Sequence, residues 1–181
     1  HYDVPLQTLE KDPRNNGLRF IYSYFGVFGD PLLNTELDPY PDGLLANLAV
    51  HGVNGIWMHV VLNQLAPGGE DFPEFGDRHE ERLENLARIV NRAKKYGISV
   101  YLYMNEPRAM PTSFFENRPE MAGVSEEYFA SMCTSDKKVL NWLRNSLIFV
   151  FKKVPGLGGV FTITASENLT SCASHGKQNE C

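Results

Sequence analysis

Residues 158–168 read GGVFTITASEN, and this stretch decides the predicted fold. The β-branched and aromatic residues from Val160 onward predict a short buried strand that runs into a carboxylate, Glu167, and an amide, Asn168. Parallel α/β folds place reactive groups at the carboxyl ends of their strands, where the loops share one open mouth. Glu167 is therefore a candidate functional residue. The alternative is that it is simply the first polar residue after a strand.

Three segments upstream share this strand chemistry, since they are rich in β-branched and aromatic residues and carry little charge. They are LRFIYSYFGVF at Leu18–Phe28, VNGIWMHVVL at Val53–Leu62 and ISVYLYM at Ile98–Met104. Between the strands, apolar residues recur at helical spacing and predict helices. The helices are predicted over residues 42–52, over Glu80–Tyr96, from Ser135 or Asp136 to Lys153, and, as a short turn, near Ser125–Ala130.

The alternation of strands and helices predicts an α/β fold with parallel (βα) units. Because a complete (β/α)8 barrel needs about 250 residues, we interpret residues 18–181 as the first half of a TIM barrel, strands one to four, with the remainder missing from this chain. Residues 1–17 are polar and are interpreted as a lead-in arm. The alternative is a small flavodoxin-like or regulatory α/β domain. The lack of a glycine-rich phosphate loop after the first strand counts against it.

Composition limits the classes of partner. The 181 residues are 43% hydrophobic and 12% aromatic, which is typical of a globular domain. A formal net charge of −5 argues against a nucleic-acid partner and against an anionic membrane surface. No apolar run approaches the roughly 18 residues of a membrane-spanning helix. The chain begins with His1 and no leader follows, so we expect a processed piece of a periplasmic or extracellular protein.

Polar side chains follow the last three predicted strands at their carboxyl ends. They are His59 and Asn63, Asn105 and Glu106, and Glu167 and Asn168. A carboxylate pair such as Glu106 and Glu167 suits glycoside hydrolysis, in which one acid protonates the leaving oxygen and another group stabilises or attacks the oxocarbenium-like carbon. The sequence therefore predicts a carbohydrate substrate, with both glutamates catalytic and the neighbouring polar residues binding the sugar.

Aromatic side chains near the same mouth offer flat faces to sugar rings. Trp57 and Tyr24 are the predicted sugar-binding aromatic residues, and the His59 ring can hydrogen-bond a sugar hydroxyl or orient a carboxylate. Each has a structural alternative, with the aromatic residues in the core and His59 as a satisfied structural histidine. Further aromatic candidates are Tyr22, Tyr103 and Phe114.

Several segments resemble glycoside hydrolase family 20, the β-N-acetylhexosaminidases. GISV at 97–100 running into Glu106-Pro107, followed by PTSF at 111–114, resembles the third-strand region of that family. VNGIWMH at 53–59 and FPEF at 72–75 are similar to its second strand and the Tyr-Pro-Glu-Leu after it. The helix before residues 159–167 is similar to the one that leads to the family's Gly-Gly-Asp-Glu strand. The resemblance covers about residues 42–171 and implies a TIM barrel with Glu167 as general acid/base.

Two positions depart from that family. Its enzymes use an aspartate before the glutamate to orient the substrate's acetamido group, and Ser166 stands there in this chain. The family's arginine on the first strand is replaced by YFG at 24–26. The resemblance therefore implies a diverged relative that acts on N-acetylhexosamine-containing glycans of the N-glycan type, with Glu106 or Asn168 taking part of the missing role. The alternative is a non-catalytic carbohydrate-binding domain on the same scaffold.

The end of the chain contains a second constellation. Cys172 and His175, followed by Cys181, have a spacing compatible with a structural zinc site. Such a site needs a fourth ligand, so the favoured interpretation is a loop with incidental thiols. No cofactor is required for the predicted hydrolysis.

Overall fold

The computed structural model describes residues 17–163, 168–177 and 179. Its central feature is a four-stranded sheet in which every neighbouring pair is parallel, in the order β1-β2-β3-β7. The strands are β1 (Phe20–Ile21), β2 (Gly55–His59), β3 (Ser99–Met104), β4 (Met110–Pro111), β5 (Ala122–Glu126), β6 (Phe129–Met132) and β7 (Gly159–Thr162). The helices are α1 (Asp42–Val50), α2 (Leu62–Leu65), α3 (His79–Lys94) and α4 (Lys137–Lys153). The α/β fold with parallel (βα) units is thus confirmed.

Alternation along β2 and β3 divides the sheet into two faces, because successive strand residues point to opposite sides. On β2 and β3 one face is aliphatic and fully buried, and it belongs to the main hydrophobic core with the helices. Its members are Ile56, Met58, Val100, Leu102 and Met104, each at most 2% exposed. The opposite face is aromatic and half-buried, and it is described with the functional site.

The two long helices form where the sequence predicts them. In α3 the acidic residues Glu80 and Glu81 lie in the first turn and the basic residues Arg92 and Lys94 in the last, which suits the helix dipole. Helix α4 begins at a side-chain cap, since Asp136 accepts hydrogen bonds from the backbone N–H groups two and three residues later, at 2.8 and 3.1 Å. The predicted boundaries of both helices hold to within two residues.

The prediction of one long first strand over 18–28 is wrong. Only Phe20 and Ile21 pair with β2, and residues 24–26 form a 3-10 helix. The Tyr40 hydroxyl explains the early end. It donates to the carbonyl of Trp57 at 2.5 Å and accepts from the backbone N–H of Ser23 at 3.2 Å. The Tyr40 hydroxyl therefore occupies the Ser23 N–H and the Trp57 carbonyl, which would otherwise be free to extend the pairing of β1 with β2.

The predicted short helix near 125–130 is also wrong. Strands β5 and β6 form a hairpin there, and β4 pairs with β6 to complete a three-stranded antiparallel sheet. The hairpin buries Val124 and Met132 on the core side, while Tyr128 at the turn is 78% exposed. Burial of these apolar side chains outweighs the helix preference of the two adjacent glutamates at 126–127.

The second strand is shorter than predicted, because α2 begins at Leu62. The fourth predicted strand is present as β7, and its continuation over 164–167 lies outside the described residues. The predicted lead-in arm, apart from Gly17, also lies outside them. No helix in the described ranges is long and apolar enough to cross a membrane. Closure of the parallel units into a barrel stays a prediction.

Candidate active site

The carboxyl ends of β2 and β3 bring three of the predicted site residues together. His59 is the last residue of β2 and pairs in register with Tyr103, and their rings lie 5.6 Å apart. The Asn105 side chain, only 2% exposed, donates from Nδ2 to the Tyr103 hydroxyl at 3.1 Å. The Asn105 Oδ1 atom is buried and accepts no hydrogen bond from the described residues. This end of the sheet is therefore a polar mouth formed by His59, Tyr103 and Asn105.

Glu106 follows β3 directly and has both carboxyl oxygens occupied. Its Oε1 accepts from the backbone N–H of Leu62 at 2.7 Å, and its Oε2 accepts from that of Arg108 at 3.0 Å. Burial raises the pKa of Glu106 to about 7, because desolvation of the charged form outweighs these two hydrogen bonds and the positive charge of Arg108. Glu106 thus joins β3 to the start of α2, and it holds a proton close to neutral pH.

Arg108 is a site residue that sequence reasoning missed. Burial lowers the pKa of His59 below its ordinary 6.5, and the charge of Arg108 lowers it further. His59 is therefore neutral at pH 7 and can both donate and accept a hydrogen bond. The available signal was a basic residue directly after Glu106-Pro107, but the direction of its side chain depends on a loop whose geometry the sequence does not give.

Trp57 lies at the centre of the aromatic face of the sheet. Its ring is 4.3 Å from that of Tyr22 and 5.0 Å from that of Tyr103. Phe161 on β7 lies 5.2 Å from Tyr103 and 6.2 Å from Trp57. The predicted aromatic candidates Trp57, Tyr22 and Tyr103 thus form one contiguous surface, which we call the aromatic face, beside the polar mouth.

Two other predicted aromatic residues lie elsewhere. Tyr24 is in the 3-10 helix after β1, 65% exposed, and its ring contacts are with Phe25 and Phe28 at 5.4 and 4.7 Å. Phe114 stacks on Phe75 at 5.5 Å under the guanidinium of Arg118. Phe114 is therefore part of a packed aromatic cluster in the loop region, and Tyr24 lies among the aromatic residues that follow β1.

Asn63 lies in α2 beside two cavities that share a wall. The first, the His59 cavity, has a volume of about 160 Å³ and is lined by His59 and Asp30, among others. The second, the Asn63 cavity, measures about 240 Å³ and includes Asn63. Gln64 and Arg82 line both cavities. The predicted residues His59 and Asn63 are therefore at two adjoining cavities rather than at one.

Arg82 is the second site residue that sequence reasoning missed. Its side chain is 9% exposed, and its Nη1 donates to Asp30 at 2.6 Å, so helix α3 is tied to the loop after β1. The sequence did contain a signal. Arg82 occurs at helical spacing with the buried residues Asn85, Leu86 and Ile89, a position where an apolar side chain is expected.

The predicted catalytic residue Glu167 lies outside the described residues, as does Ser166 beside it. Asn168 is half-buried. The strand that leads to this segment is β7, which pairs with β3 in the register Met104 to Thr162. The loops after β3 and β7 therefore leave the same edge of the sheet.

Two of the predicted zinc ligands, Cys172 and His175, lie within the described residues, and they contact different strands. His175 Nδ1 lies 2.7 Å from Glu126 on β5, whose pKa is lowered by the hydrogen bond with His175. The Cys172 Sγ is 3.7 Å from the Ser131 hydroxyl, and Cys181 lies outside the described residues. Within the described ranges no group of three or more His, Cys, Asp or Glu side chains could hold a metal ion. The zinc site stays a prediction.

The chain matches no protein-family profile and no curated protein. Among solved structures it is similar to a maltogenic α-amylase from Thermotoga neapolitana, with 12% identity and a TM-score of 0.50, over 83% of this chain and 39% of that one. A chitobiase from Flavobacterium johnsoniae matches with 14% identity and a TM-score of 0.41, over 78% of this chain and 23% of that one. The chain spans well under half the length of either protein. At these identities the likeness extends to the fold alone.

Proposed function

We propose that this chain contributes the first part of a glycoside hydrolase active site that acts on N-acetylhexosamine-containing glycans. The observation that carries the proposal is the polar mouth at the ends of β2 and β3, which contains His59 and Asn105 and is followed along the chain by Glu106, whose pKa is raised to about 7. Carboxyl groups with raised pKa values at the carboxyl ends of parallel strands are typical of sites that protonate a leaving group. The maltogenic amylase-like fold supports a glycosidase origin.

In this proposal Glu167 is the general acid/base. Its protonated carboxyl group gives a proton to the glycosidic oxygen as the bond to the anomeric carbon breaks, and its carboxylate then removes a proton from the attacking water. Positive charge that develops on the sugar ring is stabilised by the Asn168 amide oxygen, or by Glu106 in the fraction of molecules in which it is ionised. The family resemblance supports the assignment of Glu167, and the adjacency of β3 and β7 supports its pairing with Glu106.

The aromatic face gives the substrate a binding surface next to this chemistry. Trp57 and Tyr103 are half-buried rather than enclosed, and their rings are 5.0 Å apart. Aromatic rings with a polar tip bind amphipathic ligands well, since the ring covers apolar C–H groups and the tip hydrogen-bonds. A pyranose ring has both kinds of surface.

A second candidate function, carbohydrate binding without turnover, is favoured by a specific observation. Both oxygens of Glu106 accept backbone hydrogen bonds, so this carboxyl group has a structural role whatever else it does. Loss of the family's aspartate at position 166 is the sequence feature that points the same way. In this alternative the mouth and the aromatic face bind a glycan and no bond is broken.

Hydrolysis of an aryl N-acetylglucosaminide and of an N-glycan by the full-length protein tests the two functions. Glu167→Gln should lower the rate by at least about a hundredfold, the usual effect of losing a general acid/base, and leave substrate binding unchanged. Glu127→Gln, which changes an exposed carboxylate at the turn between β5 and β6, is the matched control and should retain full activity. If the wild-type protein binds these substrates and hydrolyses none of them, it is a carbohydrate-binding domain and the proposed hydrolysis is wrong.

A further inference from the structure

Arg82 lines both cavities, and its buried guanidinium group has more N–H donors than hydrogen bonds. An arginine side chain has five N–H donors. In Arg82 the one hydrogen bond to a described residue runs from Nη1 to Asp30, and Nε is buried with no partner among the described residues. A buried charged donor without a partner is costly. Arg82 nevertheless lines both cavities, so its guanidinium group can donate to a ligand that is bound in either of them.

The charges around the Asn63 cavity argue against an ionic ligand. Asp77 and Glu74 line the cavity together with Arg82. Glu74 already pairs with Arg118 at 2.9 Å, and Asp30 with Arg82 at 2.6 Å. An anion would meet two carboxylates at this wall, and a cation would meet the guanidinium. Since both signs are present and partly paired, the cavity suits a neutral ligand that can donate and accept hydrogen bonds at once.

The remaining lining fits a sugar ring. Asn63 and Gln64 supply side-chain amides, each of which can donate and accept, and Phe75 supplies apolar surface. Adjacent hydroxyl groups of a sugar likewise donate and accept in alternation. The volume of about 240 Å³ is below the roughly 300–1,000 Å³ of pockets for drug-sized ligands, so it is suited to one ring and not to two.

We propose that the Asn63 cavity is a second sugar subsite, which takes one neutral pyranose ring of the glycan that reaches the mouth through the His59 cavity. The proposal rests on the carbohydrate-binding function proposed above. Gln64 and Arg82 line both cavities and therefore contact consecutive parts of the bound glycan. The subsite contributes to binding of longer glycans and not to the bond-breaking step.

Calorimetry with N-acetylglucosamine oligomers of two and four units tests the subsite. The exposed Gln64 is the first position to change, because its truncation leaves the fold intact. Gln64→Ala should weaken binding of the tetramer about fivefold, as expected for the loss of about one net hydrogen bond, and should weaken binding of the dimer, which does not reach the Asn63 cavity, by less. Arg82→Gln should act in the same way. Arg88→Gln, an exposed arginine on the same helix, is the matched control and should alter neither affinity.

Trp57→Ala separates this subsite from the mouth. If Trp57→Ala weakens the binding of both oligomers and Gln64→Ala affects neither, the subsite is overturned and the proposed function stands. If sulfate displaces the tetramer and the displacement depends on Arg82, the cavity is an anion site and the subsite is also overturned. If the wild-type protein binds neither oligomer, the carbohydrate function fails and the subsite fails with it.

Discussion

The two faces of the four-stranded sheet carry the same backbone and opposite side-chain chemistry. On the helix side, Met58 and Leu102 are at most 1% exposed and have no polar atom that needs a partner. On the other side, Trp57 and Tyr103 are half-buried and have polar tips. The first face is closely packed, and the second is the face to which the proposed function assigns the sugar. Under that proposal, stability and binding depend on alternate residues of the same two strands.

The largest predicted effect is on the helix-covered face. Leu102→Ala should lower the free energy of unfolding by about 2–5 kcal/mol, because it removes methyl groups from a site that is fully enclosed. Val160→Ala is the matched comparison, since Val160 pairs in register with Leu102 on β7 but is 38% exposed, and it should cost less than about 1 kcal/mol. Urea unfolding of both variants gives the two values. An equal cost at both positions would mean that Val160 is covered in solution.

The next largest predicted effect concerns Glu106, which directly follows β3. Glu106 keeps its proton in the folded state up to a pH of about 7, whereas the unfolded chain releases it near pH 4.5. The wild type should therefore lose stability relative to Glu106→Gln as the pH rises from 4.5 to 7, by about 3 kcal/mol at 1.4 kcal/mol per pKa unit. Unfolding midpoints of the two proteins across that range measure the difference. Glu116→Gln, an exposed carboxylate in the following loop, should show no such trend, and a flat difference for Glu106→Gln would refute its buried protonated state.

The smallest predicted effect concerns the influence of Arg108 on the pKa values of His59 and Glu106. The positive charge of Arg108 lowers the pKa of both His59 and Glu106. Arg108→Gln should therefore raise both pKa values, which NMR titration of the imidazole and carboxyl signals can follow. Arg118→Gln removes an arginine that is engaged with Glu74 and Phe114, and both pKa values should stay unchanged. If only one of the two groups responds to Arg108→Gln, this arginine does not lie between them.

The parts of the fold set by local pattern were predictable. Strand β3 was predicted one residue too long, and α4 begins at the predicted cap, because alternation and capping are visible within a few residues of sequence. Strand β1 and the β5–β6 hairpin were not predictable in this way. The first ends where Tyr40, about 17 residues away, takes over its hydrogen bonds, and the second depends on pairing with β4.

The candidate site divides along the same line. His59, Asn105 and Glu106 were found from sequence because each comes at or just after the end of a strand. Arg82 was missed because it comes from a helix, and its role depends on a loop 52 residues earlier in the chain. The Arg82 side chain is therefore positioned by a contact between distant parts of the chain, which no short stretch of sequence contains.

Tyr40 and Gly26 have a consequence for how this sequence can vary. A Cβ atom at position 26 would lie 2.9 Å from the Tyr40 hydroxyl and 3.2 Å from the Trp57 carbonyl oxygen, closer than side chains normally approach. Burial raises the pKa of Tyr40 to about 12, so this hydroxyl remains a donor at all physiological pH values. Positions 26 and 40 therefore constrain each other sterically. A smaller residue at position 40 would remove the shorter of the two contacts, and it would also release the Ser23 N–H and the Trp57 carbonyl for further pairing of β1 with β2.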